Sequence, residues 1–395
     1  MIRIGSGVSK LGHPARAAEE ALQQAMKLLA PDRVHLGFLF MSPHHAIAAD
    51  DVLGAILPKL GSATLLGCTS QGTVGGEQEI EQGPALSLWL AQLDGARIHP
   101  FELAVQSTPD GEAVVGLPLI TEPMRAMILL ADPYTFPTQT VLESLNTDYP
   151  RLPVLGGQIS GRGPGQNLLI LNGTARTSGA VGVLLGGNVN VSPLVSQGCK
   201  PIGEPFVVTG VQGNIIWELG GKPPLHRLRE TLERLSPEER AMASQNLQLG
   251  VVIDERTVDP KPGDFLIRGV LQADPQTGAM SVGEALTLGQ TVQFQMRDAA
   301  TADADLKGLL EDRLDSGKGS PPAGALMFTC NGRGLGLFGA PDHDVAALRS
   351  AFAGLPVAGM FCGGEIGPIG GVNFLHGFTA SVALFEDAQE APQLG

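Results

Sequence analysis

Tyrosine and tryptophan are nearly missing from this 395-residue chain, which holds two of each. So few aromatic platforms argue against a surface that stacks bases and against aromatic belts at a membrane interface. Basic residues are also short: 26 Lys and Arg stand against 40 Asp and Glu, a net charge of −14, so the electrostatic footprint of a nucleic-acid binder is absent. Charged residues of both signs reach only 17%, below the roughly 25% of average globular proteins, which points to a sheet-rich interior. No apolar run approaches the roughly 18 to 20 residues of a membrane-spanning helix, and the N-terminal stretch lacks the hydrophobic centre of a secretory leader. The protein is expected to be cytoplasmic and not membrane-spanning.

Cysteine is sparse as well. Cys68, Cys199, Cys330 and Cys362 form no CxxC pair, so neither a zinc knuckle nor a disulfide framework is indicated and no metal site is expected.

Glycine is abundant, with 53 residues gathered at element junctions, where backbone must approach backbone or take a positive φ. The chain is too long for one core, so two or three domains are expected. A helix from Pro14 to Leu29 carries Ala18, Ala21, Leu22 and Ala25 on one face. The strand of residues 35–41, a helical stretch and ATLLGCTSQGTVGG then form a strand, helix, strand unit that closes on glycines. A second copy runs from RAMILLADPYTF to PVLGGQISGRGPG, and a third from GALMFTC, through a helix capped by Asp342, to PVAGMFCGGEIGPIGG. Setting Gly67, Gly156 and Gly359 in register also aligns Gly72, Gly161 and Gly364, and places Glu365 where the first copy has Thr73. Crossover units of this kind put both strand exits at one edge, where α/β sheets bind ligands. That edge collects Ser42, His44, His45 and residues 68–71, then Asp132, Tyr134 and 158–162, then 330–333 and 361–365. Between the second and third copies lie a hairpin turning near Gly213, two short helices, the second with a capping box of Ser236 and Glu239, and antiparallel strands joined by DPQTG. The expected fold class is α/β: repeated strand-helix-strand units with glycine-rich junctions plus antiparallel strands, in two packed modules.

The segments LLGCTSQG, VSQGCKPIGEPFVVT, CNGRG and above all FCGGEIGPIGGVNFLHGFTAS resemble the FIST domain family. The resemblance implies a FIST N-terminal module over residues 33–220 and a FIST C-terminal module over 221–385, while helical spacing and an acidic, Ala- and Gln-rich end mark a helical extension over 1–32 and a frayed tail over 386–395. It also implies a sensory role. Such modules are input regions of prokaryotic signalling proteins, with amino acids proposed as ligands and some members binding haem and responding to nitric oxide. No output domain follows here, so a separate signalling output protein, such as a kinase or chemotaxis component, or a homo-oligomer would transmit the signal.

Arg333 and Glu365 are the leading candidates for ligand contact. A guanidinium holds a carboxylate bidentately, and an ammonium needs an anionic acceptor; the alternative is that the two pair with each other. Asn331, Cys330, Cys362, Ser70, Asn373, His376 and the Gly363 and Gly364 amides complete the candidate set. No cofactor is expected. The haem alternative would draw on His44, His45, His226 or His376. A thiol-dependent hydrolase would use Cys330 with His376, or Cys362 with His376 and Glu365, but no local nucleophile signature supports it, so no catalytic residue is assigned and non-enzymatic binding is expected.

Overall fold

A computed structural model describes residues 2–30, 33–109, 111–316 and 320–388. Two compact units emerge. The first comprises Met1–Val195, Gly308–Leu375 and Ala380–Gly395; the second comprises Ser196–Lys307 and His376–Thr379, so the chain leaves the first unit and returns to it.

The first unit is built from the three copies. Their parallel pairs are Leu36–Met41 with Thr64–Thr69, Met124–Ala131 with Val154–Gln158, and Gly324–Cys330 with Val357–Cys362. The connecting helices are Ala49–Leu60, Thr138–Asp148 and His343–Ala351. Each pair gains an antiparallel strand from its own copy, which is Leu86–Leu93, Ala180–Gly187 or Thr379–Asp387.

On the other side of each pair the partner comes from a different copy. Leu169–Leu171 of the second copy lies beside Thr64–Thr69, Gly364–Ile369 of the third beside Val154–Gln158, and Thr73–Gly75 of the first beside Val357–Cys362. This cyclic exchange gives all three sheets the same strand order. The position filled by Ala96–Thr108 and Val189–Gln197 in two sheets is filled in the first by Ile2–Ser9, a strand not read from the sequence.

Each copy's aligned glycine sits where a side chain could not. A Cβ on Gly67, Gly156 or Gly359 would lie 2.7, 1.9 or 1.9 Å from the carbonyl oxygen of Leu39, Leu129 or Met327, the residue opposite it in the parallel pair. One face of every sheet contributes to a common core, with Phe38, Phe40 and Trp89 from the first, Ile128 and Val183 from the second, and Phe328, Met360 and Phe385 from the third. The Trp89 and Phe385 rings are 4.7 Å apart between centroids. The opposite faces carry helices: Ala17, Ala21, Val52 and Ile56 cover the first sheet, and Val141, Leu142 and Leu145 the second.

Two expectations are corrected here. The N-terminal α-helix spans Pro14–Ala25, followed by a single tighter turn rather than continuing as α-helix to Leu29. Asp342 precedes the third copy's helix, but its φ is 64° and its side chain makes no cap. Its Oδ1 instead accepts the Glu79 amide at 2.6 Å, because that strand needs an acceptor at its edge. The expected tail overlaps the end of the strand Thr379–Asp387, and residues 389–395 lie outside the described residues.

In the second unit, Phe206–Gln212, Ile215–Leu219, Met280–Val282, Phe265–Ala273, Leu247–Val252 and Thr291–Arg297 pair in that order, and the last pairs back to the first, closing a six-stranded barrel. Closure removes the unpaired edges of an open sheet. Leu249, Val251, Ile216, Met280, Val282 and Phe294 fill it. The hairpin turns at Gly213 (φ 59°), the Gly278 amide closes the DPQTG turn on the Asp274 carbonyl, and the Ser236–Glu239 capping box is present, all as read from the sequence. Among the described residues no helix is long and apolar enough to cross a membrane.

Candidate functional site

The strand exits of the three copies meet through one serine of the second. The Ser160 hydroxyl donates to the Phe361 carbonyl of the third copy at 2.7 Å and accepts the Gln71 amide of the first at 2.9 Å, with Asn331 Oδ1 3.4 Å away. Around it, the Phe361 amide donates to the Gly72 carbonyl at 2.9 Å, the Asn331 amide to the Cys362 carbonyl at 3.0 Å, and the Gly363 amide to the Gln158 carbonyl at 2.9 Å. Gly161 lies directly on the first copy: a Cβ there would be 2.9 Å from the Gln71 nitrogen. The junctions therefore form one hydrogen-bonded cluster. Sequence reasoning places Ser160 on this edge without singling it out, since a serine between an isoleucine and a glycine gives no sign of being a three-way bridge.

On the core side of the cluster, register decides which side chains meet. Glu365 is paired with Gly157, and Thr73 with Met360, so both carry their side chains toward the common core. Gly157 leaves space that Cys362 uses, its Sγ lying 2.5 Å from where a Cβ would stand. Cys330 and Cys362 are neighbours across the parallel pair. Ser70, Thr73, Cys362 and Glu365 are fully buried and Cys330 nearly so. Burial pushes the Cys362 thiol well up, and the Glu365 charge adds to it; burial alone pushes Cys68 up. The Ser70 and Thr73 hydroxyls have no hydrogen-bond partner among the described residues.

Arg333 is buried too, but its fork is engaged. Nε donates to Asp344 Oδ2 at 2.7 Å and Nη2 to Asp344 Oδ1 at 2.8 Å, and the guanidinium lies 5.3 Å from the Phe338 ring centroid. The bidentate partner is thus Asp344 and neither Glu365 nor an open face, and only Nη1 lacks a partner among the described residues. Thr329 donates to the same carboxylate at 2.9 Å. Burial alone would raise the Asp344 carboxyl, but Arg333 and the Thr329 and His343 contacts hold it well below the usual carboxylate range. Glu79 of the first copy stands beside it, accepting the Val345 amide at 2.8 Å. Burial, then the Asp344 charge, pushes its carboxyl up to about 8. Neither Glu79 nor Asp344 carries a motif that sequence reasoning could have used, because their importance comes from a hairpin of one copy docking on the helix of another.

Residues 35–222 match the model of the FIST N domain and residues 224–368 that of the FIST C domain, together most of the chain. The chain belongs to the FIST family. An uncharacterized protein of Mycobacterium tuberculosis is 47% identical over 387 residues, covering 98% of this chain and 100% of that one. An uncharacterized protein of Mycobacterium bovis is 47% identical over 390 residues with the same coverage. FIST domains are generally sensory domains of signal transduction.

One of the candidate residues of this FIST protein acts as a tie away from the cluster. Asn373 is a structural tie: its Oδ1 accepts the Val154 amide at 2.8 Å and its Nδ2 donates to Asn146 Oδ1 and the Leu152 carbonyl, each at 2.9 Å. His376 ends the strand Val372–His376, which lies beside Gly364–Ile369, the strand that carries Glu365, while His226 of the second unit lies 3.4 Å from Glu230. His44 is exposed, while His45 is buried with neither ring nitrogen partnered among the described residues. Burial and the adjacent His44 lower its pKa, so the neutral imidazole is favoured.

Proposed function

We propose that this FIST protein is a sensor of intracellular signal transduction that binds a small polar metabolite, an amino acid or a similar molecule, at the junctions of the first and third copies and performs no chemistry on it. One observation carries the reading: the Ser70 and Thr73 hydroxyls and Arg333 Nη1 are buried at these junctions without partners among the described residues. A buried polar group left unmatched costs about 1–3 kcal/mol, so three at related positions mark a place where a polar molecule is stabilising. An α-carboxylate is an acceptor suited to a buried hydroxyl or to the one remaining guanidinium N–H, a one-point contact to Arg333 in place of the two-point clamp that the sequence suggests. Glu365, buried in the same cluster, supplies the anion that an ammonium group requires. Burial of Cys68 and Cys362 disfavours the thiolate that nucleophilic catalysis would need, which supports binding over catalysis. Signal output would then pass to a separate kinase or chemotaxis component. Native mass spectrometry of the purified protein with an amino-acid panel tests this reading: a one-to-one complex with at least one member is expected, and bare protein with every member would overturn it.

A further inference from the structure

The second unit holds a site that the sensory reading does not use. On the outer wall of its barrel, a cleft of about 200 Å³ is lined by the exposed or half-buried Ile215, Trp217, Gln272, Asp274, Thr277 and Ser281, and the buried Ala279 and Met280 complete the lining. Register brings these side chains together: Ile215 is paired with Ser281, and Ser281 with Gln272, forming a row across three strands. Trp217 stands two residues along from Ile215 on the same face of its strand.

The chain has only two tryptophans. Trp89 is wholly buried in the first unit, whereas Trp217 is 42% exposed. β-propensity favours an aromatic anywhere on a strand, but here the tryptophan shares its cleft with the hydrogen-bonding side chains of Gln272, Asp274, Thr277 and Ser281. Asp274 is held anionic by the Thr277 hydroxyl, which donates to Oδ2 at 2.7 Å, and by the Gln276 amide, which donates to Oδ1 at 2.9 Å, and each oxygen keeps a further lone pair. Gln272 offers an amide, and Ser281 a hydroxyl.

The lining contains no Lys, Arg or His. Together with the chain's net charge of −14, this disfavours phosphorylated, sulfated or nucleic-acid ligands, which need cationic partners. A flat apolar plate with a neutral and anionic hydrogen-bonding rim matches a pyranose, whose ring has a C–H face and a rim of hydroxyls. The outer faces of small β-barrels serve oligosaccharide binding elsewhere for the same reason.

We propose that this wall of the second unit binds a neutral saccharide, with the sugar ring on the Trp217 indole and its hydroxyls taken by Gln272, Asp274 and Ser281. Nothing in this site depends on the amino-acid reading of the first unit.

The test uses the full chain. Tryptophan emission is followed during titration with methyl glycosides and linear oligomers of glucose, galactose, mannose and N-acetylglucosamine, and with tetramethylammonium chloride and glucose 6-phosphate as contrasts. A saturable change with at least one neutral sugar is expected. Calorimetry should then show heat of binding lost in Trp217→Ala and affinity reduced about threefold to tenfold in Gln272→Ala, with the melting temperatures of both variants within experimental error of the parent. No saturation with any neutral sugar overturns the proposal. Saturation by tetramethylammonium instead identifies a cation site and overturns it too, as does undiminished sugar binding by Trp217→Ala.

Discussion

The Ser160 hydroxyl, donating to the Phe361 carbonyl at 2.7 Å, joins the second copy's junction to the third's, and the same oxygen accepts the Gln71 amide of the first. A side chain that is 8% exposed thus holds three backbone segments drawn from positions far apart in the chain.

Ser160→Ala should therefore destabilise the fold by about 1–3 kcal/mol, since it leaves the buried Phe361 carbonyl and the part-buried Gln71 amide unmatched. Urea denaturation measures this. Loss of less than a few tenths would mean that the backbone of the junctions holds itself together without the bridge.

Glycine substitutions should separate by position. Gly156→Ala and Gly359→Ala push a methyl into a main-chain carbonyl at 1.9 Å and should unfold the protein or cost several kcal/mol, on the order of the largest single-residue effects. Gly54→Ala, in the helix Ala49–Leu60 with nothing within 4 Å, should stabilise by roughly 0.5–1 kcal/mol. Thermal unfolding of the three variants gives the comparison.

Breaking the buried pair should be worse than replacing it. Arg333→Met or Asp344→Leu alone leaves one charge buried at 1% or 0% exposure and should cost about 3–5 kcal/mol. The double variant should recover a substantial part of that loss. A double-mutant cycle in which the two costs simply add would contradict the ion pair's role.

The pH dependence has a definite sign. Glu79 binds its proton more tightly when folded, with its pKa raised from 4.5 to about 8. The folded state thus holds the extra proton between those values, and stability falls as pH rises through the window. Asp344, depressed in the fold, acts oppositely and loses stability as pH drops below its unfolded value of 3.8. Glu79→Gln should flatten the decline between about pH 4.5 and 8 in melting temperature. An unchanged decline in that variant would assign it to other groups.

Much of this arrangement could be read in the sequence, and the reason is steric. Gly67, Gly156 and Gly359 mark the repeat because only glycine tolerates the opposing carbonyl, so spacing alone reveals three equivalent units. The exchange of Thr73–Gly75, Leu169–Leu171 and Gly364–Ile369 among the sheets could not be read. Three-to-six-residue strands carry no periodicity long enough to name a partner, and their pairing is set by the global closure of the unit. The site shows the same division. Ser70, Cys330, Cys362 and Glu365 were placed by the repeat, whereas Asp344 took Arg333's fork across an element whose docking no local pattern announces.

The sensory reading is tested most directly by titration calorimetry of the full protein with the amino acids that native mass spectrometry retains, comparing the parent with Ser70→Ala and Glu365→Gln. Ser70→Ala removes a hydroxyl that has no partner among the described residues, so it should fold at least as stably as the parent while binding about threefold to tenfold more weakly. Glu365→Gln keeps the shape and removes the anion, and should lose binding of amino acids while sparing any retained ligand that has no ammonium group. Undiminished affinity in both variants, each folded as the parent is, would contradict a ligand site at these junctions.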